Sequence, residues 1–83
     1  MTYVTKKSGY LEKFSKAKII RGCRKSGASM KHAQWVANKV ARKAYDKIST
    51  RRVGEMVAAH LRKVDRKAAV SFNKVFTRNW KGL

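Results

Sequence analysis

The stretch Ser29-Met30-Lys31-His32-Ala33-Gln34-Trp35-Val36-Ala37-Asn38-Lys39-Val40-Ala41-Arg42-Lys43-Ala44 decides how this chain folds. Ala33, Val36, Ala37, Val40, Ala41 and Ala44 recur at i, i+3, i+4 and i+7, the repeat of one face of an α-helix. Ser29 stands at the N-cap position, where its hydroxyl can accept from a free backbone N–H. Alanines on the apolar face predict the close approach of a neighbouring helix, while Lys31, Lys39, Arg42, Lys43 and Lys47 take the other faces.

Working outward, the same rhythm returns on both sides. Upstream, Ser15 caps a helix over Lys16 to Lys25, with Ile19, Ile20 and Cys23 on one face and Ser26-Gly27 as its stop. Before it, Thr2 to Lys7 and Tyr10 to Phe14 are rich in β-branched and aromatic residues and flank Ser8-Gly9, which predicts a β-hairpin. Downstream, the chain turns through Ser49-Thr50, with Thr50 as the cap, and Val53, Met56, Val57, His60, Leu61 and Val64 form a third stripe. Asp65 interrupts and recaps, and Ala68, Ala69, Phe72, Val75 and Phe76 form a fourth, with Trp80 beyond. The absence of Pro lets the helices run unbroken. The predicted architecture is α+β, mostly α: an N-terminal β-hairpin packed on a four-helix bundle, one domain over residues 1–83. Tyr45, Phe72 and Phe76 are expected in the core. Trp35 lies beside the second helix's stripe, free to stack on a base, pack against the hairpin or meet a second copy of the chain.

Composition narrows the partners. The 83 residues hold 22 Lys and Arg against 4 acids, a net charge of +18. A compact chain so charged repels itself unless anions neutralise it, and nucleic acid, a nucleoside triphosphate and an anionic membrane surface all answer that need. Glu12, Asp46, Glu55 and Asp65 are too few to pair the cations internally, which favours nucleic acid. Lys31, Lys39, Arg42, Lys43, Arg51, Arg52, Arg62 and Lys63 are its expected contacts. Cys23 stands alone, which excludes an internal disulfide and a cysteine-based zinc ribbon and suits a reducing cytoplasm. His32 and His60 have no metal-binding spacing with it, and no apolar run approaches the roughly 18 residues of a membrane span.

No nucleophile, base and orienting acid can be assembled from two separated histidines and four scattered carboxylates, so the sequence argues against an enzyme. Lys6, Lys7, Lys18 and Thr50 instead gather phosphate-binding groups near the hairpin, where helix N-termini add free N–H groups.

Val4-Thr5-Lys6-Lys7-Ser8-Gly9, followed by Glu12, Phe14 and Lys18-Ile19, resembles the opening signature of the ATP-cone, the regulatory nucleotide-binding domain of many ribonucleotide reductases and of the bacterial repressor of their genes. Ile48-Ser49-Thr50-Arg51-Arg52-Val53-Gly54-Glu55-Met56-Val57 is similar to the family's third-helix motif, and Leu61-Arg62-Lys63-Val64-Asp65 through Ala69, Phe72 and Val75-Phe76 to its last helix. The resemblance spans nearly the whole chain in order. It departs from the family at Ser8, at Lys16-Ala17 and at Gly54. It implies strands covering a four-helix bundle, with Lys6, Lys7 and Lys18 facing the phosphates of ATP or dATP, with or without Mg, Glu12 near the base and Thr50 on the phosphate side. The expected function is a free-standing cytoplasmic nucleotide sensor that also binds DNA or RNA, alone or with a protein partner or a second copy, and no membrane. The alternative is a structural RNA-, ribosome- or DNA-binding protein whose nucleotide site is idle.

Overall fold

The computed structural model describes the backbone of residues 2–6 and 9–78, and side chains as far as residue 74. Its elements are β1 Tyr3–Thr5, β2 Leu11–Lys13, α1 Lys16–Lys25, α2 Met30–Lys43, β3 Ile48–Ser49, α3 Thr50–Val64 and α4 Arg66–Arg78. Lys7 and Trp80, and the side chains of Val75 and Phe76, lie outside the described residues.

The helices begin where short polar side chains can satisfy the first free amides. Ser15 accepts from the Lys18 amide, Ser29 from that of His32 at 3.2 Å and Asp65 from that of Ala68 at 3.0 Å. The expected cap of the third helix is displaced by one residue. Ser49 Oγ accepts from the Arg52 amide at 3.1 Å, and Thr50 is the first helical residue, buried. Ser49→Ala should lower stability by about 1 kcal/mol, read as a lower urea midpoint at unchanged slope.

The predicted hairpin forms, shorter than expected at both strands: Val4 lies opposite Glu12 in the antiparallel β1–β2 pair. A third strand joins it that sequence reading missed. Ile48 of β3 pairs with Val4 in parallel, giving the sheet order β2-β1-β3. Asp46 Oδ1 accepts from the Tyr3 amide at 3.0 Å, the Lys47 amide donates to the Tyr3 carbonyl at 2.8 Å, and Thr5 Oγ1 donates to the Lys47 carbonyl at 2.9 Å. These bonds seize the chain just after α2. Ala44 turns to ψ 142°, Lys47 takes φ 67°, and Tyr45 is 59% exposed rather than in the core. A helical stripe extended to Tyr45 fails because the chain must leave the helix there to reach its bonds with β1.

Ile19, Cys23, Val36, Val40, Ile48, Val57 and Leu61 are fully buried, so the core joins α1, α2 and α3 to the sheet through Ile48. Phe72 brings in α4: its Cε1 lies 3.3 Å from where a side chain on Gly22 would begin, so α1 and α4 meet through a missing Cβ. Neighbouring helices run in opposite senses. Lys16 Nζ, at the start of α1, donates to Asn38 Oδ1 late in α2, and Trp35, early in α2, meets His60 near the end of α3. One end of the bundle therefore holds the sheet and the starts of α1 and α3. The other holds the α1–α2 turn and the α3–α4 junction.

Candidate functional site

At the sheet end, a shallow, solvent-open cleft lies between the strands and the first turns of α1 and α3. Val4, Phe14, Ile19 and Val53 form its apolar walls, and Lys13, Ser15, Lys18 and Thr50 its polar ones. Each wall follows from local structure. Val4 turns its side chain into the core from the central strand, Ser15 closes β2 into the cap of α1, and Lys18 rises from the first turn of that helix.

Lys6 and Lys18 converge on Glu12, and Lys18 lines this cleft. Lys6 Nζ stands 3.1 Å from Glu12 Oε2, and Lys18 Nζ donates to Glu12 Oε1. The Lys18 hydrogen bond first, and that of Lys6 second, hold the Glu12 carboxyl below the ordinary carboxylate range, against a smaller opposing effect of burial. Glu12 thus engages the very lysines expected to face phosphate. A depressed pKa means that this pairing contributes stability above the unfolded carboxyl's pKa near 4.5 and loses it as pH falls through the lower folded value. The pair is part-exposed, so its net worth is small. Glu12→Gln should free both ammonium groups and tighten tripolyphosphate binding several-fold, measured by calorimetry at neutral pH.

Of the residues the resemblance assigns to nucleotide, Lys18 and Thr50 line the cleft, and Lys6 and Glu12 join it through the ion pairs that link them to Lys18. Lys13, Phe14 and Ser15 were overlooked as cleft residues; the strand-to-cap transition they form was the available signal. The cations assigned to nucleic acid are not gathered. Lys31, Arg62 and Lys63 belong to the end remote from the sheet, Arg42, Lys43, Arg51 and Arg52 to the sheet end, and Lys39 Nζ sits 5.6 Å from the centroid of the Trp35 ring. Trp35 itself is half-buried against α3, edge-on to His60 at 6.0 Å, rather than against the hairpin. His60 Nδ1 lies 2.8 Å from the Met56 carbonyl, a pairing that fits a histidine serving the bundle. Burial pushes the Cys23 thiol up to about 11, so it stays protonated in the core. Among the described residues no cluster of three or more His, Cys, Asp and Glu could hold a metal, and no helix is long and apolar enough to cross a membrane.

A further electrostatic feature unites both ends. No helix carries an acid in its first turn. Cations stand there instead: Lys16 and Lys18, Lys31, Arg51 and Arg52, Arg66 and Lys67. The positive end of a helix dipole disfavours each by about 0.3–1 kcal/mol. Such placement works against the fold.

A small three-stranded sheet laid over the starts of two helices of a four-helix bundle defines an α+β class of domain. The chain belongs to the ATP-cone family: the model of the ATP cone domain matches residues 2–81. It is similar to the transcriptional repressor NrdR of Caldicellulosiruptor saccharolyticus, 32% identical over 81 residues that cover 88% of this chain and 53% of that protein. The transcriptional repressor NrdR of Exiguobacterium sp. is 33% identical over 81 residues, 88% of this chain and 52% of its own. An uncharacterized protein of Archaeoglobus fulgidus is 50% identical over 42 residues, 51% of this chain and 89% of its own. The chain spans about half the length of the two repressors.

Proposed function

We propose that this chain is a regulatory, non-catalytic ATP-cone module that binds ATP or dATP in the sheet-end cleft and nucleic acid on its basic surface. The observation that carries the nucleotide half is the convergence of Lys6 and Lys18 on Glu12 at the mouth of a cleft bounded by two helix starts. A polyphosphate fits by replacing Glu12 as the partner of these ammonium groups, with the first-turn amides of α1 and α3 nearby. The released Glu12 becomes an acceptor for amino hydrogens of a base, and the Thr50 hydroxyl serves the phosphate side. Any Mg would ride on the phosphates, with Glu12 turned to the base.

The nucleic-acid half rests on the unneutralised charge, and likeness to transcriptional repressors favours duplex DNA over RNA. Both polyanions suit a cytoplasmic setting. The decisive measurement is calorimetric titration of protein stripped of nucleic acid in high salt. Saturable binding of ATP or dATP in the micromolar range supports the nucleotide reading. No heat at millimolar nucleotide refutes it and leaves a cationic DNA- or RNA-binding protein with an idle cleft.

A further inference from the structure

The bundle end opposite the cleft carries an unpaired cationic face. The antiparallel run of helices brings the end of α1, the start of α2, the end of α3 and the start of α4 together there. Arg24, Lys25 and Lys31 flank the α1–α2 turn, all exposed. Arg62, Lys63, Arg66 and Lys67 flank the single residue Asp65 that joins α3 to α4, and these too are exposed. Among the described residues none of these cations pairs with a carboxylate. The ion pairs run to Glu12 and Glu55, and the Asp65 side chain accepts from the Ala68 amide as a helix cap.

Cations at the ends of α1 and α3 complement helix dipoles and need no partner to explain them. Lys31, Arg66 and Lys67 sit at helix starts, where the dipole disfavours a cation and only the Asp65 cap of α4 offsets it, so helix capping does not account for them. Among the described residues no fully exposed aromatic ring stands on this face. Of the exposed aromatics, Tyr10 lies by the hairpin and Tyr45 in the α2–β3 connection, both at the sheet end, so the remote end is made for phosphate backbone rather than unstacked bases.

We propose that this remote end is the DNA-binding face of the chain and grips the phosphate backbone of a duplex, leaving the sheet-end cleft open to nucleotide. The inference rests on the nucleic-acid reading above and deepens it by assigning a face and adding Arg24, Lys25, Arg66 and Lys67 to the contacts. Thr50 and Lys63 stand at opposite ends of α3, about 20 Å apart at 1.5 Å per residue. That separation exceeds the Debye length of about 8 Å at physiological salt, so the two ligands do not compete for the same charges.

The test measures fluorescence anisotropy of a short labelled DNA duplex at several salt concentrations. Lys25→Gln with Lys67→Gln removes a cation from each half of the face. Lys16→Gln with Lys47→Asn removes equal charge from the sheet end. The first variant should weaken duplex binding by on the order of tenfold or more and make the salt slope shallower by about 1.8, the value for two lost phosphate contacts. The second should stay within about threefold of wild type, because distant charge is screened. Equal losses in both variants would overturn the assignment while leaving nucleic-acid binding intact. Tighter binding of a double-stranded RNA of matching sequence would overturn the choice of DNA. A wild type that binds no duplex would refute the nucleic-acid reading itself and the face with it. Should the first variant melt early, Lys25→Gln with Arg62→Gln asks the same question without touching the start of α4.

Discussion

Raising salt from about 50 to 200 mM should lower the affinity of this chain for duplex DNA by on the order of 10³ to 10⁵, the loss expected when about 6 to 10 phosphates are neutralised and their counterions released. The 22 basic residues supply far more cations than that, and the described ion pairs engage only Lys6, Lys18 and Arg52. Among the described residues most of the other cations are exposed and open to phosphate on binding. A plot of log affinity against log salt should be linear and steep. A flat line would assign the charge to solubility or to a protein partner.

Lys18→Ala should weaken ATP or dATP binding by about one to two decades, the equivalent of about 1.5–3 kcal/mol for one charged contact. Lys18 is singled out because it rises from the first turn of α1 beside the Ser15 cap, lines the cleft and holds Glu12. Its removal leaves Glu12 paired with Lys6, so part of the loss comes from a carboxylate that still guards the phosphate position. Combining it with Glu12→Gln should restore part of the affinity, and the double-mutant cycle isolates the coupling. Calorimetry that finds wild-type affinity in Lys18→Ala would remove the nucleotide from this cleft.

Much of the candidate site was legible in the residues themselves. Lys6, Glu12 and Lys18 lie within a short span of chain, and a turn followed by a capped helix brings such neighbours together under local rules. Ser15 and Ser29 announced their helices for the same reason, and both cap as read. Thr50 was placed on the correct helix, but the cap belongs to Ser49, because β3 holds Ser49 extended at the point where the helix begins. Tyr45 went astray through the same event: periodicity cannot register that Asp46 and Lys47 bond to Tyr3 across more than forty residues, |i−j| being 43 for the Asp46 bond.

What the sequence by itself determined is therefore everything that depends on spacing of a few residues: the helical stripes, their serine and aspartate caps, the hairpin turn and the surplus of positive charge. Helix periodicity and capping are short-range physics, and charge is additive along the chain. Tertiary structure alone decided the third strand, whose two residues have no periodic signature and gain their hydrogen bonds only from β1. It alone also split the cations between a sheet end and a remote end. Residues as distant in the chain as Lys25 and Lys67 share a face only because the helices pack in alternating directions, and the burial of Ile19, Val36, Leu61 and Phe72 in one core is what sets those directions.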